Sequence, residues 1–201
     1  NCSYLAKLQY WIVGTSGNSC YKDVNSTNYT IKVFGWLRNL VTKPTGNEIY
    51  YPNENVSIEG NLTDECNLGI SGASVNFSIK HESYSKYCEA KDLGDNFYNC
   101  SINLTDAPGG YYSIRMNSSK EYYNFNSTEF PNKFFVEVNP RIENPSVSPH
   151  DQVWGKTITF EAYVTDDDDI VNVSLYIRQI GSSEWVLRDS FNITDPVNYL
   201  A

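Results

Sequence analysis

Ala73-Ser74-Val75-Asn76-Phe77-Ser78-Ile79-Lys80 alternates between apolar and polar residues, the period-two pattern of a strand with one face buried and the other wet. Ala73, Val75, Phe77 and Ile79 form the inward set, which turns Asn76 outward. The same phase recurs on either side. Val56 and Ile58 point inward and leave Asn55 and Asn61 on the opposite face. Tyr98, Cys100, Ile102 and Leu104 leave Asn99 and Asn103 outside; Tyr112, Ile114 and Met116 leave Asn117 outside. Val171, Val173, Leu175 and Ile177 do the same for Asn172. Further β-rich runs occur near 4–13, 28–37, 84–90, 134–138, 157–164 and 185–192. Turn clusters such as Thr15-Ser16-Gly17-Asn18, Gly94-Asp95-Asn96 and Ala107-Pro108-Gly109-Gly110 separate these runs. Short strands at this spacing, with no amphipathic helical stretch, predict an all-β chain of antiparallel sandwiches.

Twelve of the 23 asparagines stand in an Asn-x-Ser/Thr triplet: Asn1, Asn25, Asn28, Asn55, Asn61, Asn76, Asn99, Asn103, Asn117, Asn126, Asn172 and Asn192. With 33 Ser and Thr in 201 residues, chance placement would give roughly four such triplets. A polar strand face rich in Asn, Ser and Thr produces some of the excess by accident. It does not explain why that face uses so much Asn, Ser and Thr rather than Lys and Glu. Because these triplets accept glycans only on exported chains, an extracellular protein carrying covalent N-glycans is expected.

Two boundaries stand out, at Lys43-Pro44-Thr45-Gly46 and between Asn139-Pro140 and Pro149-His150, where prolines interrupt the pattern. They divide the chain into 1–43, read as late strands of one domain, 44–138, read as a complete sandwich, and 139–201, read as early strands of another. Neither flank holds enough strands to close a sandwich, so each is expected to be completed by neighbouring domains of a longer chain or by strand exchange between subunits.

Val56-Ser57-Ile58-Glu59-Gly60-Asn61-Leu62-Thr63-Asp64, then Ile70-Ser71-Gly72-Ala73-Ser74-Val75-Asn76-Phe77, resembles the opening of bacterial-type immunoglobulin-like repeats. Pro108-Gly109-Gly110-Tyr111-Tyr112-Ser113-Ile114 is similar to the Gly-x-Tyr start of their late strand. A tyrosine at such a sheet corner can bury its ring while its hydroxyl bonds backbone. Glu143-Asn144-Pro145-Ser146-Val147-Ser148-Pro149, with Trp154-Gly155-Lys156-Thr157-Ile158-Thr159-Phe160 and Val164-Thr165-Asp166-Asp167, resembles modules of large archaeal secreted and surface-layer-like proteins. The resemblance implies tandem immunoglobulin-like domains arranged as rods outside the membrane.

The formal charge of −9 argues against nucleic acid and anionic membrane as partners. No apolar run approaches the roughly 20 residues that span a bilayer. No leader is visible, so an exported chain is expected here as a processed or truncated product. Five cysteines, Cys2, Cys20, Cys66, Cys88 and Cys100, form no C-x-x-C pair, and outside the cell they read as two disulfides and one left over. The preferred pairing is Cys2–Cys20, with Cys100 joined to Cys66 or Cys88. Cys88 and Cys100 lie symmetrically about Gly94-Asp95, as in a hairpin, whereas Cys66 could cross the sandwich.

Chemistry-bearing clusters are few. Asp166, Asp167, Asp168 and Asp169 join two strands and could supply oxygens to calcium, although a solvated acidic turn accounts for them as well. His81 and His150 are the only histidines, and no motif groups them with a nucleophile. An enzyme is not expected, nor any cofactor beyond possible calcium. The aromatic pairs Tyr50-Tyr51, Tyr111-Tyr112, Tyr122-Tyr123 and Phe134-Phe135 suit core packing or polymer contacts, and alternatively stacking on sugar rings. The reading that unites these features is a structural protein at the cell surface, the repeating unit of a surface layer, sheath or filament. The alternative is an adhesin or carbohydrate-binding module.

Overall fold

The structure is a computed structural model that describes residues 2, 4–17, 19–151, 153, 155–166, 172–192 and 199–200. Every regular element in them is a β-strand. At the N-terminal side, β1 (Leu8–Trp11) pairs antiparallel with β4 (Tyr29–Lys32), and β2 (Gly14–Thr15) with β3 (Val24–Asn25). These nested ladders make residues 8–32 one long interrupted hairpin, hereafter the arm.

Residues 35–138 form a sandwich. Its strands are β5 (Gly35–Lys43), β6 (Ile49–Tyr50), β7 (Asn55–Asp64), β8 (Ser74–His81) and β9 (Tyr84–Glu89), then β10 (Lys91–Gly94), β11 (Phe97–Asn103), β12 (Gly110–Ser119), β13 (Tyr123–Asn124) and β14 (Asn126–Val136). One sheet has the order β10-β11-β7-β5-β13, the other β6-β14-β12-β8-β9. Pairing is antiparallel except at two short edges, where β13 runs parallel to β5 and β6 parallel to β14.

The alternation places the core as expected. Val56, Ile58, Phe77, Ile79, Tyr98, Ile114 and Met116 are wholly or almost wholly buried between the sheets, each contributing about 1.5–3 kcal/mol relative to an exposed position. Gly60 falls on the inward phase of β7 because the opposite sheet leaves no room for a side chain. A Cβ there would lie 2.8 Å from the Phe77 ring and 3.0 Å from the Met116 sulfur. Two tyrosine hydroxyls fasten loops to this core. Tyr98 donates to Ile70 O at 2.9 Å and accepts from Ala73 N at 3.1 Å, while Tyr112 donates to Pro108 O at 2.8 Å. Burial pushes the Tyr112 phenol well above its ordinary range, which keeps it a donor at any physiological pH.

The boundary expected at residues 43 and 44 does not separate two bodies. β5 pairs with β7 from Leu37↔Asp64 to Lys43↔Glu59, and Leu37 and Val41 are buried in the same core. Pro44-Thr45-Gly46-Asn47 is a turn from β5 to β6, held by the Glu48 carboxylate. That carboxylate accepts from the N–H groups of Thr45, Gly46 and Asn47 and from the Thr45 hydroxyl.

Beyond the sandwich, β15 (Arg141–Ser148) pairs with β16 (Thr159–Thr165), which pairs in turn with β19 (Tyr199–Leu200). β17 (Asn172–Ile177) and β18 (Val186–Asn192) form a separate antiparallel hairpin.

Candidate functional site

Ten acceptor asparagines have described side-chain exposure, and none of the ten is buried. Asn25 and Asn28 lie on the arm. On the sandwich the outward phase brings acceptors together in register. Asn103 stands opposite Asn55, its Nδ2 donating to Asn55 Oδ1 at 3.0 Å. Asn117 stands opposite Asn76 and donates to its Oδ1 at 2.9 Å. Asn61 and Asn99 share the outward face of β7 and β11, and Asn172 is the register partner of Asn192. Asn1 and the side chain of Asn192 lie outside the described residues.

Asn126 differs from the rest. It sits on the inward phase of β14, and its Nδ2, the atom that would carry a glycan, donates to Leu37 O of the facing sheet at 2.8 Å. Beside it Asn39 donates to Met116 O at 2.7 Å and accepts from the Ser118 hydroxyl at 2.6 Å. The three side chains make a polar plug between the sheets. Its warning in the sequence is faint: the triplet Asn126-Ser127-Thr128 is polar on both phases, so alternation assigns it no face.

The disulfides correct the expected pairing. Cys2 is bonded to Cys66 with a Cα separation of 5.7 Å, not to Cys20. Cys20 is exposed near the tip of the arm and belongs to neither disulfide. Cys88 is bonded to Cys100 with Cα atoms 6.1 Å apart, but the two are not hairpin partners. The chain changes sheets at Ala90, so the Gly94-Asp95 hairpin is β10 with β11, and Cys88 on β9 belongs to the other sheet. The Cys88–Cys100 bond therefore crosses the sandwich, the role that the sequence suggested for Cys66.

Asp167, Asp168 and Asp169 lie outside the described residues; Asp166 lies within them. Among the described residues no three His, Cys, Asp or Glu side chains gather as a metal site. His81 stacks on Tyr112, and its Nδ1 lies 2.8 Å from Tyr111 O. Tyr111 and Phe135 meet edge to face at 4.9 Å beside Glu48 and Glu137, bordering an open groove of about 530 Å³.

Two further surfaces are apolar and open. On one face of the arm Trp11 stacks on Tyr29 at 4.9 Å, with Ile31 following on the same face. All three stay about half exposed, at 49%, 48% and 53%. The second surface is a cleft of about 200 Å³ between the β15-β16-β19 sheet and the β17-β18 hairpin, lined by Ile142, Phe160, Val164, Val173, Leu175 and Phe191.

These surfaces sit on segments leaving opposite ends of the sandwich. The arm enters at Gly35, where β5 begins beside β13 and Asn126. The C-terminal segment leaves after Val136, where β14 ends beside β6. The 11-residue β14 spans the distance between, about 30 Å at strand rise. Cys2–Cys66 fastens the other leg of the arm to the same end, just past Asp64 of β7.

No protein-family model matches the chain, and no curated protein matches it significantly. No helix among the described residues is long and apolar enough to cross a membrane.

Proposed function

We propose that this chain is the repeating unit of an extracellular, N-glycosylated structural assembly, a surface layer, sheath or filament built of immunoglobulin-like sandwiches. The observation that carries this reading is the contrast within the molecule. The middle sandwich is closed around an apolar core, with acceptor asparagines on its outward strand faces, while both flanks leave apolar surface in water. Exposed apolar surface of this kind suits contact with a neighbour, whether a further domain or another subunit. Two disulfides fit an oxidising compartment outside the cytoplasm. Glycans on the outward faces would block stray pairing and proteases while the contacts stay bare. Its work is mechanical and involves no catalysis.

Electron cryo-microscopy of native material, taken from the cell surface without denaturant, tests the reading. An ordered filament or lattice with glycan density at the outward asparagines is expected. Isolated particles without self-contacts would overturn it. A second reading, an adhesin or carbohydrate-binding module, draws on the groove beside Tyr111 and Phe135, where an aromatic edge and two carboxylates suit a sugar. It predicts saturable glycan binding by a monomer.

A further inference from the structure

Resting on the proposal that the chain assembles, we infer that the arm of one copy fills the cleft of the next, so that copies join head to tail. Three observations converge on a second copy as the occupant.

The first is shape and surface. A two-stranded ribbon is marginal in water, yet the arm exposes Trp11, Tyr29 and Ile31 on one face. On β4 and just past it, Tyr29, Ile31 and Val33 recur at alternate positions, the spacing of a strand that sends side chains into a groove from one side. The cleft offers the matching surface. A dry apolar cavity of about 150 Å³ holds a benzene ring, so 200 Å³ takes one aromatic side chain and part of an aliphatic one. Among the described residues, β15 is paired on one side only, as are β17 and β18, leaving edges to which a strand can add.

The second is charge. Residues 8–32, the arm, carry Lys22 and Lys32 against Asp23, a net charge of +1, and Lys7 stands just before them. Residues 139–201 carry four basic and ten acidic residues, a net charge of −6. The sandwich between them is also acidic, so the arm is the one cationic section of the chain, and the cleft segment is the most acidic section it can meet.

The third is position. The arm and the cleft segment leave the sandwich at opposite ends, about 30 Å apart along β14. An arm reaching its own cleft would have to fold back along the sandwich, whereas an arm reaching the next copy continues outward. Because donor and acceptor are different surfaces, the contact does not close on a pair but propagates as a line.

The test uses the full chain with Ile31→Asp in the arm and Leu175→Asp in the cleft, read by light scattering after size exclusion and by electron microscopy. Wild type is expected to form filaments, and each variant alone to stay monomeric. An equimolar mixture of the two is expected to give a 1:1 dimer and nothing longer, since one intact arm and one intact cleft remain. A synthetic peptide of residues 27–34 is expected to shorten wild-type filaments, and the same peptide carrying I31D to leave them unchanged. The peptide decides the matter should L175D fail to fold. Filaments of I31D, or an inert wild-type peptide, would overturn the arm-in-cleft contact while leaving the structural proposal standing. A wild-type chain that stays monomeric at every concentration would overturn both.

Discussion

At Asn126 the geometry of one amide separates a sequence triplet from a usable acceptor. Its nitrogen is committed to Leu37 O across the sandwich, and a sugar there would have to displace the plug formed with Asn39 and Ser118. Mass spectrometry of native protein is therefore expected to find Asn126 unmodified while outward sites such as Asn61 and Asn99 carry glycan; full occupancy at Asn126 would contradict the placement. Glu48 shows what a single carboxylate contributes. Partial burial raises its pKa, but the N–H groups of Thr45 and Gly46 and the Thr45 hydroxyl outweigh that and hold it at about 2, against an ordinary 4.5. Since the folded value is the lower one, the stabilisation is fully present above about pH 4.5 and is lost as pH falls toward 2. Glu48→Gln is expected to lower stability by about 1–2 kcal/mol at neutral pH, the charged hydrogen bonds being discounted for solvent screening. Urea midpoints of wild type and variant should converge in acid. The two tyrosines differ in the same way. Tyr98→Phe strands both Ile70 O and Ala73 N and should cost about 1–3 kcal/mol, against about 1 for Tyr112→Phe, which frees one carbonyl. Equal losses would show that the Ala73 bond contributes nothing.

Strands are the scale at which the sequence was most legible, because alternation reports directly which residues face a core. Val56, Phe77, Ile79, Tyr98 and Met116 all lie where their phase put them. Alternation does not report which sheet a strand joins. Cys88 and Cys100 flank Gly94 evenly in sequence, yet the crossing at Ala90 puts them on different sheets. For the same reason Pro44-Thr45-Gly46-Asn47 reads equally as a linker or a turn, and only the pairing of β5 with β7 decides it. Among the acceptor sites, those on clean alternating strands were readable as outward, whereas Asn126 was not. The disulfides divide their effects accordingly. Removing Cys88–Cys100 as a double serine variant unties the two sheets and is expected to cost about 2–4 kcal/mol of sandwich stability. Removing Cys2–Cys66 should leave the sandwich midpoint nearly unchanged but expose the arm to limited proteolysis. A sandwich that melts early without Cys2–Cys66 would mean that the arm is part of its core.

Over the whole molecule, the distribution of charge says more than its sum. In the proposed assembly the −9 total opposes approach of copies at long range, while the cationic arm and acidic C-terminal segment favour it at short range. Added salt screens both over about 8–10 Å near physiological strength. Stopped-flow light scattering at low salt is expected to show assembly slowing as salt rises, the sign of steering between opposite charges; acceleration by salt would mean that general repulsion dominates. The fastening of the arm has a bearing on strength under load. A hairpin held by one leg would hand all tension to β5, and the pull would peel that strand from β7. Here the second leg ends in Cys2–Cys66, so a pull on the arm divides between a peptide chain and a disulfide that reach the sandwich at the same end. The sheet is then tugged at two neighbouring strands together, along their length, and its hydrogen bonds must shear as a block instead of opening one by one.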